Sequence, residues 1–335
     1  MSCRFPGKRN LASVSAHSRW PLAALAAGAL ITGLTAVPAA AAQSAAAAKP
    51  AAEQTSAACS SIYFVSARGS GQPYKGATDM TVSPQTDAVL NDLKKDLPKG
   101  TTVISHQLSY PAPSVSDLGK NVTSLNPLTD WDRLTHVNLP AYVSKEEQGE
   151  AELVGYLAKI YDDCYSTEVE PLVVLAGYSQ GSMVVHNILN EEAADSDGDL
   201  QLIAGAVLIA DPERMPRSDV KNFGTAPIGD YGLCHAGDVL FLPHTESCLA
   251  AGKTTDVAKG VSASTYQICD TGDMVCDTSR AFGLNSHAIP ILNYLKFKQD
   301  INTSKIIHTT HYEGSSSEVA AAARAVAQNI IRDDG

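Results

Sequence analysis

Positive charge is scarce in this 335-residue chain: 25 Lys and Arg stand against 36 Asp and Glu, giving a formal net charge of −11. Such a surface repels phosphate backbones and anionic lipid heads, which argues against nucleic-acid binding and electrostatic membrane docking. Long apolar runs are absent beyond the first 42 residues, so no later segment is long enough to cross a bilayer. There are no internal repeats, which excludes a repeat array. A calcium loop is missing too. Asp195-Ser-Asp197-Gly-Asp199 starts like one, but Leu200 stands where the template needs Gly and Ala206 where it needs Glu, leaving a solvated turn.

The first 42 residues read as a secretory signal peptide. Arg4, Lys8, Arg9 and Arg19 form a basic start, Pro21 to Val37 an apolar stretch, and Ala40-Ala41-Ala42 a small-residue cleavage site. Cleavage takes away four basic and no acidic residues, moving the net charge from −11 to −15. Residues 43–58 are mostly Ala with Gln, Ser, Lys and Pro; they have too little apolar bulk to pack and form a flexible lead-in. Residues 59–335 are expected to make one folded domain. Six cysteines remain after cleavage: Cys59, Cys164, Cys234, Cys248, Cys269 and Cys276. An even number in an exported chain implies disulfides, with 15 pairings open to six cysteines. Cys234-His235 with His244 and Cys248 offers a zinc set, but an oxidising compartment favours a bridge, and no metal is expected.

Apolar strands alternate with amphipathic helices. Ile62–Val65, Thr101–Leu108, Pro171–Ala176, Leu202–Ala210 and Ser264–Ile268 read as strands. Helical spacing appears over Asp79–Leu97 (Val82, Ala88, Val89, Leu93 and Leu97 facing the core), Tyr142–Tyr161 (Leu153, Tyr156, Leu157, Ile160) and 181–193. It recurs over Ser286–Lys298 and Glu318–Ile331 (Val319, Ala322, Ala323, Val326, Ile330, Ile331). Residues 112–140 read as a long surface loop, and 213–262 as a Gly-, Pro- and Asp-rich stretch with little periodicity. Strands apolar throughout, interleaved with helices, predict an α/β fold: a mainly parallel central sheet flanked by helices on both faces.

One motif carries chemistry. Gly177-Tyr178-Ser179-Gln180-Gly181 is a G-x-S-x-G between an apolar strand and a helix, the context of a nucleophile elbow. Its glycines permit a sharp turn that lifts the serine hydroxyl over the sheet edge and aims backbone N–H groups at an oxyanion. A serine nucleophile needs a base and an acid that orients the base. The α/β-hydrolase order of serine, acid, histidine excludes His17, His106 and His136. His186 should point away from the site. That leaves His235, His244, His287, His308 and His311.

Two further motifs flank the elbow. Cys269-Asp-Thr-Gly-Asp273-Met-Val-Cys276 lies downstream, and Cys59-Ser-Ser-Ile-Tyr-Phe-Val-Ser-Ala-Arg68-Gly-Ser70-Gly upstream. Together, over roughly residues 59–332, they resemble the cutinase family of serine esterases, which have the α/β-hydrolase fold, and look most like its secreted actinobacterial branch. The resemblance implies Ser179 as nucleophile, Asp273 as triad acid, and Ser70 with the Gln180 N–H as oxyanion hole. It implies bridges Cys59–Cys164 and Cys269–Cys276, leaving Cys234 for Cys248. The stretches 112–140 and 213–262 are insertions relative to compact cutinases. The family's H-x-x-Y matches His308-Thr-Thr-His311-Tyr312 with one inserted residue. His308 is therefore favoured as the base, on a loop entering the last helix, with His311 and then His287 behind it. Asp211, at a strand end, is an alternative acid that more simply caps the strand. The expected protein is a secreted, monomeric serine esterase needing no cofactor, with an ester or lipid as substrate. An envelope acyltransferase, a phospholipase or thioesterase, and a non-catalytic envelope-binding module are the other readings.

Overall fold

Ile62-Tyr-Phe-Val-Ser-Ala67 has no solvent-facing side: all six side chains are buried. A strand buried on both faces belongs inside a parallel sheet covered by helices. The structure, a computed structural model, describes residues 59–114, 139–164, 169–191, 202–216, 218–235, 256–277, 303–314 and 316–333. Its strands are β1 (Ile62–Ala67), β2 (Val103–Gln107), β3 (Leu172–Tyr178), β4 (Ile203–Ile209), β5 (Lys221–Phe223) and β6 (Thr265–Ile268). They form one sheet in the order β2-β1-β3-β4-β6-β5, and every neighbouring pair is parallel. With helices over both faces, this is the α/β-hydrolase architecture.

Period-two alternation sorts the core into two layers. Ile62, Phe64, Val174, Ala176, Val207 and Ile209 face α1 (Pro84–Asp96) and the final helix α5 (Ser317–Asp333). Tyr63, Val65, Val173, Leu175, Ala206 and Leu208 face α2 (Leu139–Cys164) and α3 (Gln180–Glu191). A short helix, α4 (Lys259–Ser262), leads into β6. The Cys59–Cys164 bridge, with Cα atoms 5.5 Å apart, ties the start of β1 to the end of α2.

Several boundaries differ from the sequence reading. The first helix is split: a 3-10 turn at Met80–Val82 precedes α1, because Pro84 takes the first helical position, where its missing N–H does no harm. Helix α2 begins at Leu139, inside the stretch read as a loop. The aperiodic 213–262 region supplies β5, a three-residue edge strand on β6. Ile331, expected in the core, is 44% exposed, whereas Val319, Ala322, Ala323, Val326 and Ile330 are buried. The predicted helix 286–298 lies outside the described residues.

The sheet order locates a site. Strand β1 steps to β2 on one side, while β3 steps to β4 and β6 on the other. The order reverses between β1 and β3, and ligands of open α/β sheets bind at the carboxyl ends of the strands flanking such a switch point.

Candidate active site

The loops at those strand ends carry the motif residues. Ser179 follows β3 with φ +54°, a left-handed conformation costly for a non-glycine residue. The turn is fixed from both sides: the Ser179 N–H donates to Ile209 O at 2.9 Å, and the Ser182 hydroxyl donates to the same oxygen at 2.8 Å. Glycine is required around it. A Cβ on Gly177 would stand 2.6 Å from Ser182 Cα, and one on Gly181 would overlap the Ala67 carbonyl and reach within 2.8 Å of Arg68 O. Without Cβ atoms, α3 starts directly against the end of β1.

The turn after β1 is clamped by Arg68, which is buried. Its Nη1 donates to Leu108 O at 2.8 Å, its Nε to Gln72 O at 3.0 Å and its Nη2 to Tyr110 O, while the Tyr110 hydroxyl donates back to Arg68 O. The next turn closes through Gly69 N–H to Gln72 Oε1 at 2.7 Å. This holds Ser70 over the start of α3, where its hydroxyl donates to Gln180 Oε1 at 3.3 Å.

Asp273 lies in the loop after β6, closed by the Cys269–Cys276 bridge, and is fully buried. Its Oδ1 accepts from Val275 N–H at 2.6 Å; its Oδ2 accepts from the Tyr312 hydroxyl at 2.7 Å. His308 Nδ1 lies 3.1 and 3.0 Å from the two carboxylate oxygens, and His308 Nε2 lies 3.0 Å from Ser179 Oγ. Burial pushes the Asp273 carboxyl up. The neighbouring His308, the Val275 N–H and the Tyr312 hydroxyl outweigh that, and the carboxyl ends below its ordinary range. A hydroxyl, an imidazole and an ionised carboxylate thus stand in one hydrogen-bonded line.

His308 is not on a loop. Residues 303–310 are helical, and the ring comes off the last turn of that helix. His311 points elsewhere: its Nδ1 meets Asp270 Oδ2 at 3.1 Å, half exposed. His186 is buried, with Nδ1 2.6 Å from Asp211 Oδ2. Asp211 also accepts from Glu213 N–H at 3.0 Å and from Gln267 Nε2 at 3.1 Å, so it joins α3, β4 and β6. His287, His244 and Cys248 lie outside the described residues. Cys234 is disulfide-bonded, and no group of three metal-ligating side chains occurs among the described residues. Sequence reasoning attached no role to Tyr178, whose hydroxyl donates to His308 O at 2.7 Å and whose ring stacks on the imidazole at 5.2 Å. The i, i+4 spacing of His308 and Tyr312 was the available signal that both share one helix face.

A model of the cutinase family matches residues 58–299. A cutinase of Hypocrea jecorina (strain QM6a) is 32% identical over 109 residues, 31% of this chain and 40% of that protein. The cutinase cut1 of Trichoderma harzianum is 28% identical over 113 residues, 32% of this chain and 42% of that protein. These alignments span about two fifths of the relatives' own length. Among solved structures, a cutinase-like protein from Cryptococcus sp. has a TM-score of 0.42 at 18% identity, covering 78% of this chain and 99% of that one. The catalytic core domain of acetyl xylan esterase from Trichoderma reesei gives 0.41 at 16%, covering 75% and 97%.

Proposed function

We propose that this chain, which belongs to the cutinase family, is a secreted serine esterase that hydrolyses carboxylic esters through an acyl-enzyme. Ser179 is the nucleophile, His308 the base and Asp273 the acid; the Gln180 N–H and Ser70 form the oxyanion hole. The observation that carries this reading is the 3.0 Å approach of His308 Nε2 to Ser179 Oγ, with Nδ1 held by both oxygens of Asp273.

Ser179 Oγ attacks the ester carbonyl and its proton passes to His308 Nε2. The tetrahedral oxyanion is held by the donors on Gln180 and Ser70. Collapse breaks the ester C–O bond, and the imidazolium returns its proton to the leaving alcohol. Water then attacks the acyl-Ser179 ester with His308 again as base, releasing the acid and restoring the hydroxyl. Asp273, buried and ionised, stabilises the imidazolium in both halves. Export is supported by two disulfides among the described residues. No helix there is long and apolar enough to cross a membrane. We further propose that the protein acts as a monomer.

The test is hydrolysis of p-nitrophenyl esters alongside labelling by a fluorophosphonate. Ser179→Ala and His308→Ala should each lose on the order of 10⁶ in turnover, as loss of a triad serine or histidine does. His311→Ala should keep most activity. Parental activity in Ser179→Ala, or loss in His311→Ala with His308→Ala intact, refutes the assignment. Varying the acyl chain identifies the preferred ester, and adding a sugar acceptor distinguishes hydrolysis from acyl transfer.

A further inference from the structure

Two buried tyrosines border the His308–Asp273 pair, and each hydroxyl donates to a different member. Tyr178 OH donates to the His308 backbone carbonyl at 2.7 Å, and its ring lies 5.2 Å from the imidazole, 23° from parallel. Tyr312 OH donates to Asp273 Oδ2 at 2.7 Å while accepting from Asp270 N–H at 2.9 Å. The two rings are 6.5 Å apart. Tyr178 leaves β3 beside the nucleophile, and Tyr312 lies one helical turn past the histidine. The brace therefore links the three segments that carry Ser179, Asp273 and His308.

We propose that Tyr178 and Tyr312 are positioning residues for the esterase reaction, Tyr178 fixing where the imidazole sits and Tyr312 fixing the orientation and charge of the carboxylate that steers it. This rests on the triad assignment above. Neither tyrosine reaches the reacting atoms, and their actions differ in kind. Tyr178 bonds a backbone carbonyl and so acts by geometry; tightly positioned reacting groups lose much of their advantage when displaced by an ångström. Tyr312 bonds a carboxylate and so acts by geometry and charge, a charge-assisted hydrogen bond being the stronger kind. Both remain donors across the working range: burial, and then the Asp273 charge, raises each phenol far above its ordinary value. Among the described residues, the other ionisable groups facing the pair are Asp270 with its partner His311, Glu313, and the buried Arg214, whose charge acts on Tyr312.

This difference sets the test. Tyr178→Phe and Tyr312→Phe keep ring and packing and remove one hydroxyl each. Turnover per fluorophosphonate-titrated site, KM, and the pH profile of kcat/KM are measured on a p-nitrophenyl ester, with thermal melts alongside. Tyr312→Phe destabilises the state with Asp273 charged and His308 neutral, so a proton enters the pair more readily. The acid limb should move to higher pH by about half a unit to one unit, with kcat reduced on the order of tenfold. Tyr178→Phe should reduce kcat by a similar factor, with KM unchanged and the acid limb unmoved. Either variant keeping parental turnover per titrated site overturns its half of the proposal. A limb shift of equal size in both overturns the division of roles. Titrating only folded sites separates these outcomes from misfolding, and an active Ser179→Ala would instead refute the triad itself.

Discussion

Gly181→Ala tests the elbow with the smallest possible perturbation, one methyl. That methyl would overlap the Ala67 carbonyl and stand 2.8 Å from Arg68 O, against ordinary contacts of 3.4 Å or more. The obstacles are backbone atoms ending β1, not side chains that can rotate away. Relief requires the start of α3 to retreat from β1 by more than about 1 Å. That movement separates Gln180 N–H from Ser70 and carries Ser179 Oγ away from His308. A misplacement of about 1 Å typically costs on the order of 10²-fold in rate. Overpacking of this kind costs about 1–3 kcal/mol, which in a domain of this size lowers the melting temperature by roughly 2–10 °C. The expectation is at least a hundredfold fall in kcat on a p-nitrophenyl ester, with little change in KM. The control is Gly155→Ala on α2, where a Cβ meets nothing within 4 Å. There alanine should stabilise by about 0.5–1 kcal/mol and leave activity alone. Gly181→Ala with activity within fivefold of the parent would show that the close approach of α3 to β1 does not set the catalytic geometry.

Removing the two bridges should have opposite effects. Cys164→Ser opens a link spanning 105 residues and should cost about 4–5 kcal/mol in denaturant unfolding, whereas Cys276→Ser opens one spanning 7 and should impair hydrolysis more than melting temperature. The reverse ranking would contradict the role given to the acid loop. Asp277 makes stability depend on pH. Burial, opposed by the Gly272 N–H, pushes its carboxyl up to about 7, so between the ordinary carboxylate range and pH 7 the folded chain keeps a proton that the unfolded chain has released. Stability should therefore fall as pH rises through that window, and Asp277→Asn should flatten the slope in melts taken from pH 5 to 8. An unchanged slope would place its origin elsewhere. Asp211→Ala removes the carboxylate shared by the buried His186, the Glu213 N–H and Gln267 Nε2 and should destabilise by about 1–3 kcal/mol, yet the folded fraction should still label with fluorophosphonate. Loss of labelling at full stability would instead make Asp211 part of the catalytic machinery.

Much of the fold was legible because its central strands are buried on both faces. Such segments must be apolar throughout, as Ile62–Ala67 and Ile203–Ile209 largely are, and their alternation with amphipathic helices announces a parallel sheet. Elements stabilised from outside themselves escaped. Lys221-Asn-Phe223 has neither length nor apolar pattern and is a strand because β6 offers an unpaired edge. Glu146 and Glu150 resemble the solvent face of α2, yet both are buried and accept from Asn187 Nδ2 at 2.7 Å, a polar contact no hydropathy pattern displays.

The choice of histidine followed the same logic. Spacing from the acid suited His287, whereas the context, a segment running straight into the final helix, suited His308 and His311, and apolar periodicity separates none of them. The helix over 303–310 is hidden by composition. Thr303, Ile306, Ile307, Thr309 and Thr310 are β-branched and poor helix formers, and two threonines cap carbonyls one turn back, Thr309 to Lys305 O at 2.9 Å and Thr310 to Ile306 O at 2.8 Å. Its inward stripe, Ser304 and His308, continues to Tyr312 in the turn that follows, at i, i+4 and i+8, and the three are 3%, 8% and 1% exposed. These are polar residues, invisible to a search for hydrophobic faces, although they repeat with the helical period. His311 falls off that stripe by one position, which turns its ring outward to Asp270. Chemical periodicity, counting Ser, His and Tyr as inward residues wherever a strand-end carboxylate awaits them, separates the two histidines where hydropathy does not.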